Sequence, residues 1–519
     1  MKGLPQVPTP NQEMPGAHDC SAVERTERFV DQVLSLIGVC TARLRWWYRP
    51  VNPKQPIADS SAQIHPSSIP FPRQFPAGPR RFKKTSRGRW GLKISWLTCL
   101  LAISTASCAP TEGKDTSFKV RTTSNSDFKV SFVEVGNFPI YMVAADIDGD
   151  NLLDVATADR FGDTVTVLTG GLTEGFTKST TLNVGRDPTE VLIADFDGAH
   201  DLDLAVLNNR GLDITIFLSK GSGRWRLSAT YSLGELITQM AAVDLDGDGS
   251  STQDIVATVS EIHEVWALIN DGSGKFPTKV RTPANLSPGR FLVGDWNGDA
   301  LPDLAVLNSA NDRMTPLLGD GLGSFDRKPN AGFATPDNPS YAVTFDFNGD
   351  GDDDIAVTNR FGDSVSIYRS NGEGGFKAPF SVDVRRDPAE MIAATLDDTG
   401  ENDDLAFVHR NTTRVSVLLR KENGRFIGHE VRVGNDPFGI AAGLFTKDET
   451  TDLAVVERDD RVLSILANRG SGNFIRTRIG FESRVSFPLT VDLDGAGGHD
   501  DLLLLQSLAD RVVILENVH

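Results

Sequence analysis

Three segments of this sequence space carboxylates and carboxamides as a divalent cation would need them. Asp146, Asp148, Asp150 and Asp154 form the first set, Asp295, Asn297, Asp299 and Asp303 the second, and Asp346, Asn348, Asp350 and Asp354 the third. Each set fills positions 1, 3, 5 and 9 of a loop of the form Asp-x-Asp/Asn-Gly-Asp-x-x-x-Asp. Calcium takes about six to eight hard oxygen ligands at flexible geometry, which alternating side-chain oxygens on a tight loop supply. Magnesium fits less well, because it keeps several waters. A fourth loop keeps Asp244, Asp246 and Asp248 but has two extra residues before Asp254. The expected cofactor is calcium, about three to four ions counting one per loop.

Four further loops are degraded. The one with Asp195, Asp197 and Asp203 has Ala199 at position 5, and the last has Asp492 and Asp494 and then Ala496. Another begins at Thr395, and the seventh has Leu444 and Thr446, so no metal is expected there. Asx-rich turns without metal are the competing reading, but gathering carboxylates without a cation is costly.

The element that positions these loops is a repeat. The run Asp-Leu-Ala-Val and its variants starts at Asp154, Asp203, Asp254, Asp303, Asp354, Asp404, Asp452 and Asp501, about every fifty residues. Four short runs per unit, bounded by Asp, Asn and Gly, read as four antiparallel strands. The run after each acidic loop, such as Leu204-Ala-Val-Leu207, is apolar throughout and is expected to be covered on both faces. The next run alternates, as in Thr164-Val-Thr-Val-Leu168, and is expected to bury one face. Eight such units predict an all-β fold, a single β-propeller of four-stranded blades over 127–519. Phe128–Val135 should close it by completing the last blade. Seven blades result if the sixth or seventh unit fails to form one.

The repeats resemble FG-GAP/VCBS propellers, related to the integrin α-subunit head. Val184-Gly-Arg-Asp-Pro188, Val433-Gly-Asn-Asp-Pro437, Asp271-Gly-Ser-Gly-Lys-Phe276 and Gly319-Asp-Gly-Leu-Gly-Ser-Phe325 carry the likeness, together with the acidic loops. The resemblance implies a non-catalytic binding module with calcium in its loops. It also implies that the backbone carbonyl at position 7, from Leu152, Leu301 or Asp352, is a further ligand.

Charge narrows the partners. The net charge of −18 divides into +9 over residues 1–110 and −27 over the remainder. A strongly acidic body repels nucleic-acid phosphate and anionic lipid. A protein or glycan partner remains, the chain being expected as a monomer. Arg160, Arg360, Arg410 and Arg458 stand six residues after the final aspartate of their loops. This places them on the face opposite the loops, where they could receive an anionic ligand. Pairing with Asp163, Asp363 or Asp459 within the repeat is the rival role. Catalytic motifs are missing: there is no Gly-x-Ser-x-Gly elbow, Walker loop or Rossmann fingerprint, and the histidines share no repeat position and read as surface residues. An enzyme is therefore not expected. A lectin or an accessory protein of polysaccharide breakdown is the alternative, although Trp225, Trp266 and Trp296 occupy non-equivalent positions.

Ahead of the repeats, residues 1–79 are proline-rich and read as a disordered leader or a misassigned start. Over 80–108, basic residues precede the apolar run Ile94–Ile103 and then Ser104-Thr-Ala-Ser-Cys108, the order of an export signal. Its end resembles a bacterial lipobox, with Thr105 in place of the usual Leu and Cys108 as the residue to be acylated. Residues 109–126 read as a linker. The expected location is outside the cytoplasm: periplasmic, secreted, or held at the outer membrane or cell surface by that lipid, the one membrane contact foreseen.

Overall fold

The computed structural model describes residues 121–122 and 128–518, apart from 171–175, 177, 222, 248–250, 327–331, 398–403, 422–423, 494 and 496–498. The chain divides into Met1–Pro110 and Thr111–His519, and every described residue belongs to the second unit. The leader, the export signal, Cys108, Asp248 and Asp494 lie outside the described residues.

The repeat folds into eight antiparallel sheets set in a ring, one blade per unit, with strands in sequence order from the centre outward. Blade one, for instance, runs through Pro139–Ala145, Asp154–Asp159, Thr164–Thr169 and Lys178–Asn183. The other first strands begin at Pro188, Ile237, Pro288, Pro339, Pro388, Pro437 and Ser486. Neither the sixth nor the seventh unit drops out, so the count is eight. Phe128–Glu134 pairs with Arg511–Asn517 over its whole length and supplies the outer strand of blade eight. Within 109–126, Arg121–Thr122 adds a short fifth strand to blade seven opposite Gly480 and Ile479.

Second strands are buried at every position in all eight blades. Each buried Leu, Ile or Val contributes about 1.5–3 kcal/mol, so these strands hold the blades together. Third strands depart from the expectation of one solvent face. Thr164–Thr169 is buried at all positions but the first. The reason is a polar pair inside six of the eight sheets: a polar residue ends the second strand, and a hydroxyl seven residues later answers it. Thr166 Oγ1 donates to Asp159 Oδ2 at 2.7 Å, and Thr315 Oγ1 to Asn308 Oδ1 at 2.7 Å. Alternation here therefore marks a buried hydrogen bond rather than a wet face. Fourth strands do alternate, as in Lys178–Asn183.

Every first strand carries a bulge beside its third residue. Those third residues are Tyr141, Glu190, Gln239, Arg290, Tyr341, Glu390, Gly439 and Pro488. A bulge re-aims the side chain it releases, and several of these tie one blade to the next. Glu190 Oε2 accepts the Met240 amide at 3.1 Å, and Gln239 Oε1 accepts that of Phe291 at 3.0 Å.

Candidate metal loops and the opposite face

Each acidic loop joins a first strand to a second strand, so all eight lie on one face. The chain turns at position 4 through a glycine at positive φ, as at Gly149, Gly298 and Gly349, a conformation that costs glycine nothing. Position 1 then caps the turn: in the first loop Asp146 accepts amides from Gly149 at 2.9 Å, Asp150 at 3.1 Å and Asn151 at 2.9 Å.

The three carboxylates Asp146, Asp148 and Asp154 each offer an oxygen within 4.8 Å of the others. Asp148 Oδ1 is buried there without a hydrogen-bond partner. Burial, Asp150 and Asp146 all push the Asp148 carboxyl above its usual range. An orphaned acceptor between two further carboxylates is what a hard cation satisfies, and the residues of this loop fit calcium.

Two other loops bring carboxylates together in the same way: Asp244, Asp246 and Asp254, and Asp195, Asp197 and Asp203. The second of these has Ala199 at position 5 and so lacks one oxygen, yet its remaining carboxylates still converge. In the fourth and fifth loops the asparagine at position 3 turns its amide inward. Asn297 Nδ2 donates to Asp299 Oδ2 at 2.7 Å, and Asn348 Nδ2 to Asp354 Oδ2 at 3.1 Å. A cation there requires the carboxamide to flip and present its oxygen. Position 5 is committed partly to its own turn: Asp299 Oδ1 accepts the Leu301 amide at 2.9 Å, and Asp350 Oδ1 that of Asp352 at 3.2 Å.

Position 9 has a second task that sequence reasoning missed. One oxygen of the final aspartate accepts the amide of the residue sixteen positions later, in all eight blades. In seven of them the other oxygen accepts the amide of loop position 2. The invariant aspartate thus staples the acidic loop to the end of the third strand. Burial raises Asp154, Asp203, Asp254 and Asp303 to about 6, with the backbone amides pulling the other way.

On the opposite face three of the four arginines are paired, though with other aspartates than expected. Arg160 Nε meets Asp187 Oδ1 at 2.5 Å, Arg360 Nε meets Asp387 Oδ1 at 2.6 Å, and Arg458 meets Asp436 at 2.6 Å. These aspartates belong to the Asp-Pro links that lead into a first strand. Asp163 and Asp363 instead accept the amides of Asp187 and Asp387 at 2.9 and 3.2 Å, which leaves them committed to the backbone. Arg410 lies over the Phe438 ring at 5.0 Å, and Arg458 lies 4.8 Å from the same ring. Beside them a cleft of about 850 Å³ is lined by Arg385, Arg386, Arg414, Asn411 and Asp459, among others. Phe161 and Phe361, the next residues after two of the arginines, are 63% and 61% exposed.

Two arrangements resemble catalytic pairs. His409 Nε2 lies 2.7 Å from Ser416 Oγ, but both are buried, and His409 occupies the strand-end position that Asp159 and Asn308 fill in other blades. It is therefore the buried polar pair of blade six, not a surface histidine. Glu190 and Glu390 stand at the bulges of the first strands of blades two and six. Burial raises Glu190 to about 7, and Glu390 is raised likewise. Both accept an amide from the next blade.

Among the described residues, no helix is long and apolar enough to cross a membrane. No curated protein matches the sequence. Solved structures of similar fold include the Dos1 propeller, at 11% identity and a TM-score of 0.51, with 75% of this chain and 94% of that one covered. Dihydro-heme d1 dehydrogenase NirN matches at 13% identity and a TM-score of 0.48, covering 67% of each chain. An Agrocybe aegerita lectin that recognises non-reducing terminal N-acetylglucosamine matches at 16% and 0.42, with 75% and 99% covered. Family models for the FG-GAP-like repeat match residues 195–251 and 295–357, and one for the FG-GAP repeat matches 339–376. With these matches on top of the ring of four-stranded units, the chain is an eight-bladed β-propeller that carries FG-GAP repeats in the matched segments.

Proposed function

We propose that this chain is an exported, calcium-loaded and non-catalytic propeller that serves as a protein-binding or scaffold module. The buried, unpartnered Asp148 Oδ1 beside Asp146 and Asp154 carries the calcium part. Calcium would be held by Asp146, Asp148, Asp150 and Asp154, with the Leu152 carbonyl, and by the equivalent residues of the third, fourth and fifth loops. Its role there is to neutralise carboxylates that would otherwise repel one another across a tight turn.

Ligand binding to the folded state adds about 2.7 kcal/mol per site at a hundredfold excess over Kd. Chelation should therefore lower the melting temperature. Calcium counted by equilibrium dialysis should fall by one in Asp148→Ala, Asp299→Ala and Asp350→Ala alike, and should not change in Thr446→Ala. An unchanged count in all four would reduce the loops to turns.

For the partner, the exposed Phe161 and Phe361 beside Arg160 and Arg360 supply apolar area and charge on one face, which suits a protein surface. The lectin alternative loses two of its three tryptophans, since Trp266 and Trp296 are each 1% exposed. Export predicts a mature protein that begins at or near Cys108, and mass spectrometry of the native protein tests this. An intact species that retains residues 1–80 would end that part of the proposal, and an unmodified terminus would end the lipid anchor alone.

A further inference from the structure

The turn after each third strand holds a position at which the blades make opposite choices. It is the seventeenth residue after the final aspartate of the acidic loop. In blades two, six and seven it is Lys220, Lys421 and Arg469; in blades one, three, four and five it is Gly171, Asp271, Asp320 and Asn371. Blade eight has Val518 there, with neither choice made.

The three basic residues all reach the acidic loop of their own blade. Lys220 Nζ lies 3.1 Å from Asp197 Oδ2 and Lys421 Nζ lies 2.8 Å from Asp397 Oδ2, both at loop position 3. Arg469 pairs with Asp448, at position 5 of the seventh loop. The non-basic residues do something else. Asp271, Asp320 and Asn371 accept amides within their own glycine turn, from Ser273 at 3.0 Å, Leu322 at 2.9 Å and Glu373 at 3.0 Å. The division follows the ligand sets. Each blade with a basic residue lacks a carboxylate or carboxamide at one or more of positions 1, 3 and 5, while blades one, three, four and five lack none.

We propose that Lys220, Lys421 and Arg469 are built-in cations that take the place of calcium, so that blades two, six and seven hold their loops without metal. This rests on the calcium reading above and names the blades to which calcium is confined. A cation anchored to the chain neutralises the loop at every calcium concentration. An ammonium or guanidinium beside the position-3 or position-5 carboxylate also occupies the place of a metal ion and repels one from it. Loop two shows what is at stake: Asp195, Asp197 and Asp203 converge to within 4.8 Å of one another, as the carboxylates of loop one do, and Lys220 supplies the positive charge.

Bound calcium counted by equilibrium dialysis tests this on the full chain. Ala199→Asp completes the ligand set of loop two but leaves Lys220 in place, so the count should stay at the wild-type value. Ala199→Asp combined with Lys220→Asn completes the ligand set and puts in the turn the asparagine found in blade five, and it should add one ion. In the other direction, Asp320→Lys in blade four should remove one ion while the melting temperature in chelator holds or rises. An ion gained by Ala199→Asp alone, or none lost in Asp320→Lys, would overturn the inference with the calcium reading intact. A wild-type chain that binds no calcium at all would overturn both, and is distinguishable because no variant is needed to see it.

Discussion

Asp452 accepts the amide of Asn468 at 2.7 Å, sixteen residues along the chain, in the loop least able to hold a metal. Asp254 and Asn270 make the same bond at the same distance in a loop that keeps its ligand carboxylates. The final aspartate is thus retained where its neighbours are not. Asn468 and Asn270 extend the staple, each donating from Nδ2 to a backbone carbonyl of the preceding blade, at Leu396 and Phe196.

Asp452→Ala should therefore destabilise the fold by about 1–3 kcal/mol through a buried amide left without an acceptor. The loss should be equal in calcium and in chelator. Asp148→Ala should lower stability in calcium only. Thermal melts of the two variants under both conditions check this, and a calcium-dependent loss in Asp452→Ala would mean that the staple is a metal ligand first.

Much of this architecture is legible in the sequence, because the period of the Asp-Leu-Ala-Val run dictates one four-stranded unit per repeat and Phe128–Glu134 matches a missing outer strand. Less legible are the details that depend on what lies beside a residue. Thr166 looks solvent-facing by alternation, and only its bond to Asp159 shows why it is buried. Arg160 and Asp163 are close in sequence, yet Asp187 reaches the guanidinium because the Asp-Pro link leaves the fourth strand on the same face. In loop two the missing ligand at Ala199 is legible, while Lys220 gains its meaning only when the turn folds back over Asp197.

Glu190 makes stability pH-dependent. Burial lifts its carboxyl from 4.5 to about 7 in the folded chain, so the folded state binds this proton more tightly than the unfolded state. Stability from this group is complete below about pH 4.5 and is lost as pH rises through about 7. Glu190→Gln keeps an acceptor for the Met240 amide without the charge. It should flatten the decline between pH 5 and 8 and stabilise by about 1–3 kcal/mol at pH 8. Denaturant unfolding across that range measures it, and an unaltered slope in the variant would show that other groups carry the decline.

The arginine face separates pairing from ligand capture. Arg360→Ser and Asp387→Asn each break the same ion pair, which is part-exposed and worth about 0.2–1 kcal/mol. A double-mutant cycle by chemical unfolding should show the two losses to be non-additive. Asp363→Asn should leave the pair alone, since Asp363 accepts only the Asp387 amide among these groups. Full additivity of Arg360→Ser with Asp387→Asn would free the arginine for an outside anion.

Ring closure gives the last prediction. All seven residues of Phe128–Glu134 pair with Arg511–Asn517, from Phe128 opposite Asn517 to Glu134 opposite Arg511. Phe128 and, beneath it, Val513 and Leu515 belong to the core shared by blades seven and eight. A chain that starts at residue 136 would leave Arg511–Asn517 as an unpaired edge along the apolar run Val512–Leu515, and such an edge pairs with other chains. It should aggregate or melt well below the full chain, whereas a chain that starts at residue 112 should not. A synthetic peptide of residues 126–136 added in trans should restore the melting temperature in a concentration-dependent way, because it binds only the folded ring. Light scattering and thermal melts read the outcome. A chain from residue 136 that stays monomeric and melts with the full chain would show that the eighth blade does not need its outer strand.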